Sequence, residues 1–217
     1  MAPTTISTAE GDVHILHSGE IYLSLTEFPA LGTGGFKIAL RGVAFDRRGR
    51  VKDQLAILRR RPDLPFAGSL QDEILVEWQA YSALEKYRTE RGLRGHIGLA
   101  DAELVTLHDG TYALIQPRYE GDLTAPPFQS IDTATVRQLV VGVQHLHRAG
   151  FVHSDIKEAN AFFRHTKSGA LEVVLSDYGL LRTAGTAHRG GAHGYMPPEV
   201  RQYYLPPFST ATRDGTF

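Results

Sequence analysis

The 217 residues carry 23 Lys and Arg against 24 Asp and Glu, a formal net charge of −1, with hydrophobic and charged fractions of 42% and 22%. That is the composition of an ordinary soluble globular protein, long enough for one large domain or two small lobes, without a global basic field to recruit nucleic acid or an anionic membrane. The lack of cysteine excludes disulfides, thiolate metal sites and cysteine nucleophiles, and no apolar run approaches the roughly 20 residues of a membrane span.

Residues 1–19 are polar and rich in Thr and Ser, with no basic cluster ahead of an apolar core, so disorder is expected there rather than a secretory signal. Ile21–Leu25, Phe36–Leu40 and Gln54–Leu58 read as strands, with a turn at Asp46–Arg50. Arg59 to Gly68 reads as a loop carrying Pro62 and Pro65. From Leu70 to Tyr87 the apolar residues Leu70, Ile74, Trp78 and Tyr81 recur at helical spacing. Strands follow at Ala102–Leu107 and Tyr112–Gln116, joined by the hairpin-type turn His108-Asp109-Gly110. Pro117 to Pro127 crosses to the second half. Thr133–Ala149 predicts a helix with Val136, Leu139, Val140, Val143 and Leu146 on one face, Asp132 as N-cap and Gly150 as stop. Phe151–Val152, Ala161–Phe163 and Leu171–Leu175 look like buried strands. Residues 200–217 hold little that could build a helical subdomain.

The chemistry lies in the loops between these strands. His153-Ser154-Asp155-Ile156-Lys157-Glu158-Ala159-Asn160 gathers a carboxylate, a cation two positions on and an amide five positions on. Phosphoryl transfer needs those parts: a carboxylate to orient a hydroxyl, a cation near the phosphate and an amide oxygen on Mg²⁺. Seventeen residues after Asn160, Asp177-Tyr178-Gly179 follows a strand, a suitable place to hold a metal. Pro197-Pro198-Glu199 closes the segment.

In that order and spacing the chain resembles the eukaryotic-type protein kinases. His153-Ser154-Asp155 stands for His-Arg-Asp, Asp177-Tyr178-Gly179 for Asp-Phe-Gly, and Pro197-Pro198-Glu199 for Ala-Pro-Glu. The resemblance implies Asp155 as catalytic base, Lys157 as a phosphate contact, and Asn160 and Asp177 as metal ligands. Gly32-Thr33-Gly34-Gly35-Phe36-Lys37 resembles the glycine-rich loop, whose amides approach phosphates closely. Gly32, Gly34, Gly35, Lys37 and Gln116 are then nucleotide contacts. Glu77 is expected to pair with the active-site lysine, with Glu73 one turn earlier as the alternative.

That lysine is absent from its usual strand, because Leu55-Ala56-Ile57-Leu58 aligns with Val-Ala-Ile-Lys. Lys37 resembles the substitute used by the with-no-lysine kinases. Arg59, which would need a strand irregularity, and Lys52 are the other choices. Ser154 replaces an arginine that normally receives an activation-loop phosphate, which points to activity without that switch. His145 and His147, like His188 and His193, are not spaced to converge on zinc. His153 is read as a structural loop residue.

The resemblance implies an α+β, two-lobe kinase-like fold with a sheet-and-helix lobe over residues 20–116 and a reduced, mainly helical lobe over 117–217. The implied cofactors are ATP and Mg²⁺, with the adenine against the Gln116–Glu120 connection. Such a minimal, monomeric kinase also resembles effectors that pathogenic bacteria secrete into host cells. The Hop-type effector kinases of plant-associated bacteria are the nearest of these, and that family is associated with phosphorylating the ninety-kilodalton heat-shock chaperone. A host protein is therefore the expected substrate, phosphorylated on Ser or Thr. A pseudokinase binding module and a small-molecule phosphotransferase are the rival readings.

Overall fold

A computed structural model describes residues 4–7, 11–15, 21–25, 29–34, 37–45, 48–61, 63, 73–93, 97–106, 111–124, 132–186, 191–196 and 198–201. Eight strands of the first half form one antiparallel sheet: β1 (Thr4–Ser7), β2 (Gly11–Ile15), β3 (Ile21–Leu25), β4 (Gly32–Thr33), β5 (Lys37–Phe45), β6 (Val51–Arg60), β7 (Glu103–Thr106) and β8 (Tyr112–Pro117). Their order is β1-β2-β3-β5-β6-β8-β7, with β4 folded onto β5. Residues 4–7 and 11–15, expected to be disordered, instead pair as a hairpin whose second strand joins β3. Their alternation of Thr, Ile, Val and Ile with polar residues suits a strand, and the open edge of β3 gives it somewhere to pair.

The period of two in β6 sorts its side chains by face. Leu55 and Ile57 are buried with Ala44, Val105, Ala113 and Ile115 in a small core on one face of the sheet. Ala56 and Leu58 face the opposite way and line a cleft. The strand runs on through Arg59 and Arg60, where a loop was expected, because both residues keep their backbone pairing with β5.

The helix α1 (Glu73–Glu90) buries Ile74, Glu77, Ala80, Tyr81 and Leu84, a stripe with helical spacing that includes one carboxylate. Leu70 and the turn His108-Asp109-Gly110 lie outside the described residues. The helix α2 (Thr133–Arg148) starts at Asp132, whose carboxylate accepts the Thr135 amide at 2.7 Å, and Gly150 follows it with φ +83°. Its buried face is Thr135, Gly142 and Leu146, whereas Val136 and Val140 are 45% and 47% exposed. Of the expected face, Leu146 is buried and Leu139 and Val143 pack against the core, while Val136 and Val140 turn toward solvent because Gly142 lets the helix backbone itself approach the core.

Short strands complete the second half: β9 (Gly121–Asp122), β10 (Phe151–Val152), β11 (Ala161–His165), β12 (Leu171–Leu175) and β13 (Arg182–Thr183). They form a three-stranded sheet, β12-β11-β9, and a two-stranded one, β10-β13. A four-residue helix, α3 (Pro198–Arg201), comes last. Among the described residues this half has one long helix, the four-residue α3 and three short 3-10 turns beside two small sheets, so helix still outweighs strand as expected. The main core joins Ile74, Tyr81 and Leu84 of α1 and Leu114 of β8 to Leu146 of α2 and Phe163, Val173 and Leu175 of β11 and β12. The loop between β10 and β11, which carries Asp155 and Asn160, therefore stands on packed elements from both halves.

Candidate active site

Lys37 opens β5, directly after the glycine loop. Cross-strand pairing of Lys37 with Arg60 and of Ala39 with Leu58 places Lys37 on the cleft face of the sheet, two register pairs along from the leucine that fills the usual lysine position. Its Nζ lies 2.5 Å from Glu77 Oε2 and 2.7 Å from Asp177 Oδ1. Burial alone would pull this ammonium's pKa down, but the Glu77 and Asp177 carboxylates outweigh it and lift the pKa to about 12. Lys37 is charged at any physiological pH. Burial pushes Glu77 up, against the restraint of Lys37 and of the Tyr178 amide, which it accepts at 3.2 Å. A carboxylate only 1% exposed needs such partners.

The other two candidates for the lysine role are placed differently. Arg59 is shifted by one residue from Leu58, so its side chain leaves the opposite face of β6, and the β5–β6 register slips only at Ala44/Phe45. Lys52 lies six residues from Leu58 on the same strand, about 20 Å away at 3.3 Å per residue. Glu73 lines the same cavity as Glu77 but is exposed at the first turn of α1.

In the loop between β10 and β11, Asp155 Oδ2 accepts Lys157 Nζ at 2.7 Å and Asn160 Nδ2 at 2.9 Å, and Oδ1 accepts the backbone amide of Ala192 at 2.9 Å. Burial raises the Asp155 pKa, but these donors prevail and hold it below the ordinary carboxylate value. Asn160 also donates to the Asp155 carbonyl oxygen at 2.8 Å. Its nitrogen is thereby committed, and its amide oxygen is the atom it can offer a cation. His153 is fully buried; its Nε2 donates to the Ser176 carbonyl oxygen at 3.0 Å while Nδ1 accepts the Asp155 amide at 3.4 Å. Burial lowers its pKa, so the ring stays neutral and braces the loop. Tyr178 lies between His153, edge-on at 5.7 Å between ring centroids, and Tyr81, tilted at 4.7 Å. Asp177 itself takes a left-handed backbone, φ +61°, at the end of β12.

Lys37, Lys157, Asn160 and Asp177 line a cleft of about 590 Å³, and Glu77 and Asp155 line a second cavity of about 340 Å³ that shares Gly34, Lys37 and Asp177 with it. Leu31, Ala39, Ala56 and Leu58 form the cleft's apolar wall, and Lys37, Lys157, Asn160 and Asp177 its polar end. The cleft volume is that of an ordinary ligand pocket. An oxygen pair from Asn160 and Asp177 suits Mg²⁺, which binds through one or two protein ligands plus substrate phosphates. A Cβ built on Gly32 meets nothing within 4 Å, and one on Gly34 meets only the Lys37 carbonyl oxygen at 3.6 Å. The residues present therefore fit a magnesium nucleotide. Gly35 lies outside the described residues.

Sequence reasoning missed three parts of this site. Gln116, expected as a nucleotide contact, lines the cleft but donates its Nε2 to Tyr81 Oη at 2.5 Å, tying β8 to α1. Tyr81 read as an apolar face residue, and nothing in the helical spacing revealed its hydroxyl's role. Arg182 donates to Ser154 Oγ at 3.1 Å and to the Thr186 carbonyl oxygen at 2.6 Å. The amide of Ala192 carries no side-chain signal at all. The helix histidines go separate ways: His145 packs on Tyr87, and His147 is exposed.

The protein kinase domain model matches residues 127–207, the stretch that carries Asp155, Asn160 and Asp177. The chain is 25% identical over 194 residues to the probable serine/threonine-protein kinase zyg-1 of Caenorhabditis elegans, covering 84% of this chain and 25% of that protein. It is 28% identical over 166 residues to the calcium/calmodulin-dependent protein kinase type II subunit delta of Oryctolagus cuniculus, covering 69% of this chain and 31% of that one. Over 88 residues it is 36% identical to the human serine/threonine-protein kinase/endoribonuclease IRE2, covering 36% of this chain and 10% of the relative. The chain thus spans about a third or less of the length of these relatives. The matched domain and the mixed sheet-and-helix architecture define a protein-kinase-like α+β fold, similar to eukaryotic-type serine/threonine kinases.

Proposed function

We propose that the chain is an ATP-dependent protein kinase acting on Ser or Thr, with Lys37 standing in for the missing strand lysine. The observation that carries this reading is the bridge from Lys37 Nζ to both Glu77 and Asp177. A cation fixed between a helix carboxylate and a metal-binding carboxylate is the arrangement that aligns phosphates for transfer. When bound, Mg²⁺ would neutralise phosphate charge at Asn160 and Asp177. The chain's own residues do the rest. Lys37 and Lys157 supply positive charge at the two sides of the phosphate end. Asp155, ionised at neutral pH, orients the acceptor hydroxyl and takes its proton. The apolar wall of Leu31, Ala39, Ala56 and Leu58 receives the base, beside the Gln116–Glu120 connection.

The reading extends to a monomeric effector, delivered by a bacterium into host cytosol and phosphorylating a host protein, with the ninety-kilodalton heat-shock chaperone as the first candidate. The support for that extension is the motif resemblance. The decisive assay is transfer of radiolabelled phosphate from Mg-ATP into eukaryotic lysate proteins and purified chaperone, wild type beside Asp155→Ala. A labelled band lost in the mutant supports the kinase reading. ATP binding with no transfer in either sample overturns it in favour of a binding module, and transfer only to small alcohols in favour of a small-molecule phosphotransferase.

A further inference from the structure

The two oxygens of Asp155 are held by different parts of the chain. Oδ2 is bound from within the catalytic loop, by Lys157 and Asn160. Oδ1 is bound by the backbone N–H of Ala192 at 2.9 Å, 37 residues further on. The residue that brings this amide in is Gly191, with φ +137°. A Cβ there would stand 2.7 Å from the Ser154 carbonyl oxygen and 3.6 Å from Asp155 Oδ1. Backbone conformation and space therefore both require glycine at this point.

We propose that the Gly191–Ala192 peptide is a positioning element for the catalytic carboxylate, orienting Asp155 Oδ1 toward the acceptor hydroxyl. The proposal rests on the phosphoryl-transfer reading above. With Oδ2 taken by two donors, the incoming hydroxyl is left the free lone pair of Oδ1. The Ala192 bond then sets the direction from which that hydroxyl is received. As the hydroxyl oxygen bonds the γ-phosphorus and the bond to the ADP oxygen breaks, the hydroxyl proton passes to Oδ1. A small rotation of the carboxylate would spoil that alignment. Because the donor is a main-chain group, this contact with Asp155 does not depend on the side chain at position 192. Arg182, on Ser154 Oγ, holds the other end of the segment that carries Ala192.

The test replaces Ala192 by lactate through nonsense suppression, exchanging the amide for an ester and removing only the N–H. Phosphate transfer to casein is measured at saturating Mg-ATP. Expected is a fall in kcat of roughly tenfold to a hundredfold, the worth of a hydrogen bond to a charged group, with KM for ATP unchanged. Lactate at Ala184 is the control, since it deletes a bond of the same segment, Ala184 N–H to the Gly150 carbonyl oxygen at 2.8 Å, without touching Asp155. A wild-type kcat in the Ala192 ester, or an equal fall in both esters, overturns the proposal while leaving the kinase reading intact. A second readout needs no turnover. Hydrogen exchange of the Ala192 amide should quicken at least about tenfold in Asp155→Ala, and unchanged exchange overturns the contact itself. Wild-type protein that transfers no phosphate would count against the kinase reading, and the exchange result would still decide the contact.

Discussion

Lys37 reaches Glu77 at 2.5 Å from the strand beside the one that should carry the lysine, so the ion pair survives although its usual donor position holds Leu58. Lys37 and Leu58 stand two register pairs apart on the same cleft face, so an ammonium from either strand can reach the same point. Lys37→Met should lower ATP turnover roughly 10²- to 10³-fold, the cost of losing a preorganised charge at the phosphates, while Arg59→Met stays within a fewfold of wild type. Activity lost only in Arg59→Met would show that the wrong cation has been assigned. Lys37→Met should also cost about 3 kcal/mol of stability, the lower end for breaking a buried pair, because 21% of its side chain is exposed. Lys37→Met/Glu77→Leu should recover most of that in urea denaturation without recovering turnover.

How much of this was legible depended on where the information sits. Asp155, Lys157, Asn160 and Asp177 are read from spacing, because a tight loop leaves such residues few ways to converge. Glu77 was implied by the family resemblance, with Glu73 as the alternative, and the structure buries it among Ile74, Ala80 and Tyr81. Contacts made by the backbone left no trace in the sequence, as with the Ala192 amide on Asp155. Val136 and Val140 misled for a related reason. Hydropathy places them inward, but the approach of residues 97–100 to Gly142 decides the helix rotation. The β1–β2 hairpin was hidden by its Thr-rich composition, which reads as disorder when the sheet edge it extends is out of view.

Asp155→Ala should reduce kcat roughly 10²- to 10⁴-fold and leave nucleotide affinity close to wild type. The pH dependence follows from the direction of its pKa. Lys157, Ala192 and Asn160 hold the folded-state pKa below the ordinary 3.8, so the carboxylate is ionised at neutral and mildly acid pH. Activity should be flat there and fall only as pH drops through the depressed value. In Lys157→Ala the fall should move to higher pH. A wild-type acid limb near neutrality, measured in kcat under saturating ATP, would show that another group is the base.

Metal dependence should separate Asp177 from its neighbours. Asp177→Asn keeps an oxygen for Lys37 and suits the left-handed backbone at φ +61°, where Asn is favoured. Neutralising this partly exposed end of the Lys37 bridge should cost no more than about 1 kcal/mol of stability, while Mg²⁺-dependent turnover collapses. Asn160→Ala should raise the Mg²⁺ concentration needed for half-maximal activity about tenfold or more. If both variants keep the wild-type Mg²⁺ profile, these two residues are not the ligands.

Gly142 offers a test of the scaffold under the site. In an exposed helix interior, Gly→Ala gains about 1 kcal/mol. At this position a Cβ would stand 2.4 Å from the Gly98 carbonyl oxygen and 3.3 Å from Leu99 Cδ2. That segment cannot yield easily, because the Gly98 carbonyl oxygen accepts the Leu175 amide at 2.9 Å and the Ala100 amide donates to the Leu175 carbonyl oxygen at 2.8 Å. Moving it would drag β12, and Ser176 and Asp177 follow directly on that strand. Gly142→Ala should therefore destabilise the protein by about 2 kcal/mol, within the 1–3 kcal/mol typical of overpacking, and weaken turnover through Asp177. Val140→Ala, on the exposed side of the same helix, should change stability by less than about 0.5 kcal/mol. Urea denaturation of the two variants measures the difference, and a stabilised Gly142→Ala would mean that the loop does not rest on α2.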